Sequence, residues 1–481
     1  MTAKIGIDLG TTNSVAAYME NGKIEYIKFR NRENIPSVLF YQNDKITIGD
    51  KAKKKSNLYP SHYIKSSKTY MGNMDKKWDI DGRIFTPTDV AKEILLEIKL
   101  AIEKELKPTQ IEAVITVPAY FTSSQIDETK KAGEQAGFIV KRIITEPVSA
   151  AIAYGFEDSI NQKIFIVDIG GGTFDTAILE VKNYDFNTLA VGGDNKLGGD
   201  DFDKEILEIF LKKIRKEKGI NLSSLDKSGL NIEEYSKAYQ ALVIKAEDVK
   251  VELTEQNSSK ITLANLFDGY TLELTITKED FERVAQDIMN KITNEIEATL
   301  EQCEVSTNNI DKVVLVGGSS KIPIIRNYIQ KIFNTTPYAD KPLDKLVAMG
   351  AAIVVADDNS VQINDIISHS LGVEIVNNRF SPIIPKNAKY PVELKETYTT
   401  VRDYQENVNV EIYEGEDEYN VHNNAYYGGF ILKDIEYAKK DVPQIEVTFE
   451  FDINRILHIT AKDLNTGSEN RQTIDIDKGS K

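Results

Sequence analysis

Apolar and polar positions alternate in two different textures along the chain. Up to about residue 360, short apolar runs are followed by amphipathic stretches. "AVITVPAYF" predicts a strand, and "SSQIDETKKAGEQAG" predicts a helix closed by Gly137. "ITKEDFERVAQDIMNKITNEIEATLEQC" predicts one long helix, opened by Thr277 three residues ahead of Asp280, the spacing of a capping box. This half is expected to be α/β. After residue 366 the period falls to two: "VNVEIYEG", "IEVTFEF" and "RILHITAKD" predict antiparallel strands, with turn chemistry in "DLNTGSENR". Between the textures lies the polar segment "DDNSVQINDIIS", residues 357–368, which is expected to be a linker.

Composition narrows this picture. The 481 residues suit about three domain-sized modules at roughly 100–200 residues each. A net charge of −16 sets the average field against phosphate backbones and anionic lipid, so nucleic acid and membrane are not expected partners. Any phosphate ligand must therefore be held locally. The longest near-apolar run, "LVAMGAAIVVA" at 346–356, is too short to span a bilayer, and "MTAKIGIDLG" has no secretory pattern, so a cytoplasmic protein is expected. Cys303 is the single cysteine, which excludes a disulfide within the chain, and the four histidines are scattered without metal-ligand spacing.

The candidate chemistry lies in a repeated phrase. "IGIDLGTTNS" at 5–14 and "IVDIGGGTFD" at 166–175 each run from an apolar strand through an aspartate into a glycine-rich and threonine-rich turn. Such a turn exposes several backbone N–H groups on one concave surface, a nest suited to phosphate oxygens. An aspartate beside it would repel phosphate unless a cation intervened, and Mg²⁺ is the hard, oxygen-loving ion held by carboxylates together with phosphates. Asp8 and Asp168 thus read as a metal-facing pair. Gly10, Thr11, Thr12 and Asn13 form one phosphate hairpin, and Gly170, Gly171, Gly172 and Thr173 form the other. A third strand and Gly-Gly turn, "VVLVGGSSKIP" at 313–323, places Pro323 at a first helical position. One such turn alone is an ordinary connection; three in one chain point to a nucleotide cleft.

The phrases "IGIDLGTTNS", "AVITVPAYF", "RIITEPVSAAIAYG", "VDIGGGTFD", "LGGDDFD", "VLVGGSSKIP" and "PQIEVTFEFDINRILHITAKD", in that order, closely resemble the seventy-kilodalton heat-shock chaperones of the DnaK type. The resemblance covers nearly the whole chain. It implies an actin-like (ribonuclease H-like) α/β ATPase domain over residues 1–356, in two lobes of about 1–160 and 161–356. A linker at 357–367 and an all-β peptide-binding sandwich at 368–478 would follow. It implies ATP or ADP with Mg²⁺ as cofactors, K⁺ as a second candidate ion, unfolded or extended polypeptides as partners, and a J-domain co-chaperone and a nucleotide exchange factor.

Residue by residue, Lys68 resembles the lysine that reaches the γ-phosphate, Glu146 the residue that orients the attacking water, and Thr173 a γ-phosphate contact. Asp175 would bear on the metal and its waters. Glu247 and Lys250 would hold the adenosine from one side, with Gly318, Ser319 and Ser320 on the other, and Thr254, Gly317 and Lys321 would also bind the nucleotide. By spacing alone, Glu247 and Lys250 are an ordinary pair on one helical face. In the β half, Val373, Val376, Tyr398, Val401, Val408 and Val410 would surround a groove for an aliphatic side chain. Pro118, Arg142 and Asp365 would carry coupling between the modules.

Several departures bear on that expectation. The family linker is nearly all leucine before its aspartate, whereas here it reads Val361-Gln362-Ile363-Asn364-Asp365. Losing two leucines is expected to weaken linker docking by roughly 2–3 kcal/mol. Ile126 stands where the family has a relay arginine, and Thr69 and Lys321 also replace arginines. The family's helical lid would follow the β half, whereas the sequence stops at "IDIDKGSK", the expectation being either a naturally lidless member or a truncated chain. The expected function is an ATP-hydrolysing peptide-binding chaperone. The alternative is a regulatory scaffold of the same family that binds ATP and barely cycles. An actin-like filament protein or a sugar kinase would leave the β half unused.

Overall fold

The structure is a computed structural model that describes residues 2–56, 58–155, 161–182, 184–356, 361–452 and 456–473. Two twisted sheets organise the α/β half. In the first, Thr2–Asp8 pairs parallel with Gln110–Val117 and antiparallel with Asn13–Glu20. Ile139–Thr145 continues one side and Lys23–Tyr26 the other. In the second, Gln162–Ile169 pairs parallel with Lys312–Val316 and antiparallel with Phe174–Lys182, which pairs in turn with Asp185–Asp194. The repeated phrase therefore occupies equivalent places: in each sheet a strand ends in an aspartate, Asp8 or Asp168, and turns back as a hairpin.

The helices Glu146–Gly155 and Leu346–Ala356 share one apolar core with strands from both sheets. Small residues permit the close approach. A Cβ on Gly350 would lie 1.8 Å from the Ser149 carbonyl oxygen, and one on Gly6 would lie 2.1 Å from the Ala352 nitrogen. "LVAMGAAIVVA" is thus a buried packing helix, and no described helix is long and apolar enough to cross a membrane. Capping boxes open the helices at Thr86, Thr122 and Thr277. The long helix expected after Thr277 is two, Lys278–Val284 and Gln286–Gln302, joined at Ala285. Pro323 stands at the first turn of the helix Pro323–Phe333.

The β half is built from two antiparallel four-stranded sheets. One runs Arg379–Ile384, Leu371–Ile375, Asn407–Glu414, Ala425–Lys433; the other runs Val392–Tyr398, Ile445–Phe451, Leu457–Asp463, Glu469–Thr473. Period two decides which faces are inside. Ile445, Val447, Phe449 and Phe451 are buried, as are Leu457, Ile459 and Ala461, and they share a core with Leu371, Val373, Val410 and Ile412 of the other sheet.

Of the segment expected as a linker, 357–360 lie outside the described residues. The strand Gln362–Asn364 adds to the edge of the second α/β sheet, parallel to Asp185–Asp194, with Ile363 opposite Phe186. Val361, Ile363 and Ile366 are buried in the core of that sheet, while Gln362 is exposed. The two amides that replace leucines occupy alternate positions on the other face, Gln362 exposed and Asn364 half-buried, so less apolar burial is at stake there than at Val361 and Ile363. Asn364 instead donates from Nδ2 to Asp185 Oδ1 at 2.7 Å and to Asn187 Oδ1 at 3.0 Å.

Candidate functional site

The two hairpins meet. A Cβ on Gly171 would lie 1.7 Å from Thr12 Oγ1, and one on Gly172 would lie 2.9 Å from Thr11 Cγ2 and from Thr69 Cγ2, so only glycine permits this approach. The third turn closes on the same place. Gly317 has φ +83, and a Cβ there would lie 2.6 Å from Asp168 Oδ1. Around these turns lies a cavity of about 600 Å³. Asp8, Gly10, Thr11, Thr12 and Asn13 line it from the first sheet, and Asp168, Gly170, Gly171 and Thr173 from the second. Lys68 and Glu146 reach it, as do Glu247, Lys250, Thr254, Gly317, Gly318, Ser319 and Lys321.

Lys68 sits in the short turn Ser67–Tyr70 and is buried; its Nζ lies 2.5 Å from Glu146 Oε1, also buried. Three more carboxyls crowd this pair. Burial, reinforced by Glu146 and opposed by Lys68, pushes Asp8 up to about 7. Burial together with Glu146, Asp175 and Asp8 holds Asp168 well above the ordinary carboxyl range. Burial and Glu146 push Asp175 up to about 8. Four carboxyls share one buried lysine, so this centre takes up protons or attracts a cation. Among the described residues no three His, Cys, Asp or Glu side chains converge to hold a metal directly. The paired carboxyls of Asp8 and Asp168 have the donor chemistry that Mg²⁺ takes together with phosphate oxygens, and they would hold it there.

Three candidate residues do not line the cavity. Gly172 faces a second cavity on the reverse of its hairpin. Ser320 is buried and donates to the Val316 carbonyl. Asp175 is buried, and its Oδ1 accepts from the backbone N–H of Ala119 at 2.8 Å and of Tyr120 at 3.4 Å. It thereby ties the second hairpin to the loop after Gln110–Val117.

Glu247 and Lys250 do not pair with each other as spacing alone suggests. Glu247 meets Lys53 at 2.9 Å, across from the first half of the α/β unit, and Lys250 meets Asp203 at 2.8 Å. Burial raises Asp203 to about 6 even with Lys250 beside it. Ser319 Oγ donates to the Gly170 carbonyl at 2.8 Å, Thr254 Oγ1 donates to the Lys250 carbonyl, and Lys321 pairs with Asp344 at 2.9 Å. Sequence reasoning missed Lys53, Ser66, Asp200 and Asp203. Only the quoted "LGGDDFD" contained a signal for the last two.

In the β half, Val373 and Val410 are buried in the shared core, Tyr398 and Val408 are half-buried, and Val376 and Val401 are exposed, at 54% and 52%. Tyr398 Oη lies 3.0 Å from Ser381 Oγ. Pro118 is buried and Arg142 half-buried; Asp365 is buried, accepting from the Ile366 N–H at 2.9 Å and from Tyr390 Oη at 3.3 Å. Ile126 is packed in the core of the first sheet, so no charge stands there to act as a relay.

The loop 118–123 touches the β half directly. Ser123 N donates to Glu414 Oε2 at 2.9 Å, Ser368 Oγ donates to the Phe121 carbonyl at 3.4 Å, and the Tyr120 and His369 rings lie 4.4 Å apart.

Two glycine hairpins close here on a lysine among carboxyls, an arrangement suited to phosphate oxygens, and the same chain carries an antiparallel β module. The family model for Hsp70 protein matches residues 4–481, and the chain belongs to the Hsp70 family. Members of that family are ATPases and chaperones that bind ATP or ADP with Mg²⁺, unfolded polypeptides and co-chaperones.

Proposed function

We propose that this chain hydrolyses ATP in the cleft between its two large sheets and uses the nucleotide state to control its grip on extended apolar segments of unfolded polypeptides. The observation that carries this reading is the convergence in one cavity of both hairpins, the buried Lys68–Glu146 pair and the Asp8 and Asp168 carboxyls. On this reading residues 1–356 are a two-lobed, actin-like nucleotide domain, 357–367 the linker and 368–478 the peptide-binding sandwich.

The chain's own groups divide the work. Backbone N–H groups of the two hairpins cradle the phosphates. Lys68, held in place by Glu146, offsets charge that develops on the γ-phosphate, while Glu146 and Thr173 orient a water in line with it. Mg²⁺, when bound by Asp8 and Asp168, neutralises the phosphate charge. Glu247 and Lys250, each fixed by an ion pair, hold the nucleoside against Gly318 and Ser319. In the β half, Val408 and its neighbours take one aliphatic side chain while the peptide backbone pairs as an added strand.

Coupling follows a continuous run of contacts. Asp175 grips the N–H groups of Ala119 and Tyr120, and the same loop holds Ser368, His369 and Glu414. Movement of the second hairpin is thereby transmitted to the β half, and the docked strand Gln362–Asn364 fixes the two units together. The test is dissociation of a fluorescent aliphatic peptide in ADP and in ATP. Faster release in ATP is expected; identical rates would remove the coupling from the proposal.

A further inference from the structure

The second cavity, about 960 Å³, lies directly behind the phosphate hairpin. It begins at Gly172 and opens between the segment Lys65–Asn73 on one wall and the helices Gly199–Lys218 and Ile232–Glu255 on the other. Lys65, Ser66, Asp200, Asp203 and Val243 line both cavities, so the two share a wall. That wall is thin. At it Gly172 stands against the short side chain of Thr69, and Ser66 Oγ donates to Asp200 Oδ2 at 2.8 Å.

The order of groups along the nucleotide cavity makes this arrangement consequential. On the reading proposed above, the nucleoside occupies the end near Glu247, Lys250 and Ser319, and the terminal phosphate lies between the hairpins beside Lys68. Hydrolysis forms a bond from the water oxygen to the γ-phosphorus and breaks the bond to the β–γ bridging oxygen, leaving orthophosphate deeper than ADP. The outer end is spanned by the Lys53–Glu247 ion pair. Orthophosphate must then wait for ADP or leave by another opening.

The second cavity suits an anion. Lys65 and Lys196 line it without an ion-pair partner among the described residues, whereas Lys204 is taken up by Asp201. Its carboxylates are engaged: Asp200 accepts from Ser66, Asp201 from Gly198 N and Lys204, and Asp203 is paired with Lys250. We infer that this cavity is the exit route and transient binding site for inorganic phosphate, gated by the Ser66–Asp200 hydrogen bond. This inference rests on the hydrolysis reading.

The test plugs the route away from the chemistry. Gln240 and Asn73 line the cavity from opposite walls. Gln240→Cys, in a Cys303→Ser background, is labelled with a bulky maleimide, and Asn73→Trp narrows the passage independently. ATP cleavage is followed by acid quench, phosphate release by a fluorescent phosphate sensor, and ADP release by a fluorescent analogue, all in single turnovers of the full chain. The plugged proteins are expected to cleave ATP and lose ADP at the parent rate but to release phosphate at least fivefold more slowly, and Ser66→Ala to release it several-fold faster. Cleavage followed by equally fast phosphate release from both plugged proteins overturns the inference alone. Absence of cleavage in the unplugged parent overturns the hydrolysis reading and this inference with it.

Discussion

Replacing Asn364 with alanine should undock the linker, although sequence comparison alone suggests that this amide is a defect. Its Nδ2 donates to a carboxylate, Asp185, and to a neutral amide oxygen, Asn187. A hydrogen bond to a charged acceptor contributes about 1.5–3 kcal/mol and a neutral one about 0.5–1.5 kcal/mol. Asn364 is half-buried, so water competes for both acceptors and the lower end of each range applies. The loss is then about 2 kcal/mol, roughly thirtyfold in the docking equilibrium. Gln362→Ala, at an exposed position on the same strand, should change docking by less than about 0.5 kcal/mol. Ile363→Ala, which empties a buried site, should cost about 2–5 kcal/mol. Hydrogen exchange of the amides in residues 362–364 with ATP bound reports docking directly. The decisive variant is Asn364→Leu, which restores the family residue but leaves Asp185 and Asn187 without their donor. It should lose protection as Asn364→Ala does. Greater protection than the parent would refute the reasoning.

Lys68→Ala should lower the rate of ATP cleavage by a factor of about 10²–10³ while nucleotide binding survives, because its charge acts on the transition state; wild-type cleavage in a single-turnover quench would reject the assignment. Val408 is half-buried, and on the proposed reading Val408→Phe should weaken aliphatic peptides by tenfold or more in an anisotropy titration, with far-UV dichroism unchanged. Asp203, raised to about 6 by burial, binds a proton more tightly folded than unfolded. Its contribution to stability is therefore fully present below pH about 4 and is lost as pH rises through about 6. The Lys250 ion pair runs the other way, needing the carboxylate and weakening below pH about 6. ADP affinity should fall between pH 7.5 and 5.5, and Asp203→Asn should flatten that dependence.

Much of the α/β half was legible because its signals are local. A strand ending in aspartate and turning through glycine is read within ten residues, as at Asp8 and Asp168, and a capping box such as Thr277 with Asp280 within four. The groups that close the cleft were not legible. Ser66 bonds Asp200 at a separation of 134 residues, and Lys53 meets Glu247 at 194, contacts that only the fold creates. The break at Ala285 has no glycine or proline to announce it. The linker amides were misjudged for another reason. They were weighed by residue type, whereas the period of two along 361–365 places Gln362 and Asn364 on the face opposite Val361 and Ile363. Apart from that period, the donor role of Asn364 depends on a strand, Asp185–Asp194, far away in the chain.

The central claim is that one chain couples ATP turnover to an occupied β-half groove through the loop 118–123 and the docked strand. Steady-state ATP turnover with and without a short extended peptide carrying a central aliphatic residue tests it most directly. The account predicts measurable turnover that rises several-fold with saturating peptide and that does not rise in Val408→Phe. Turnover that is absent, or equal with and without peptide in the parent, would contradict it.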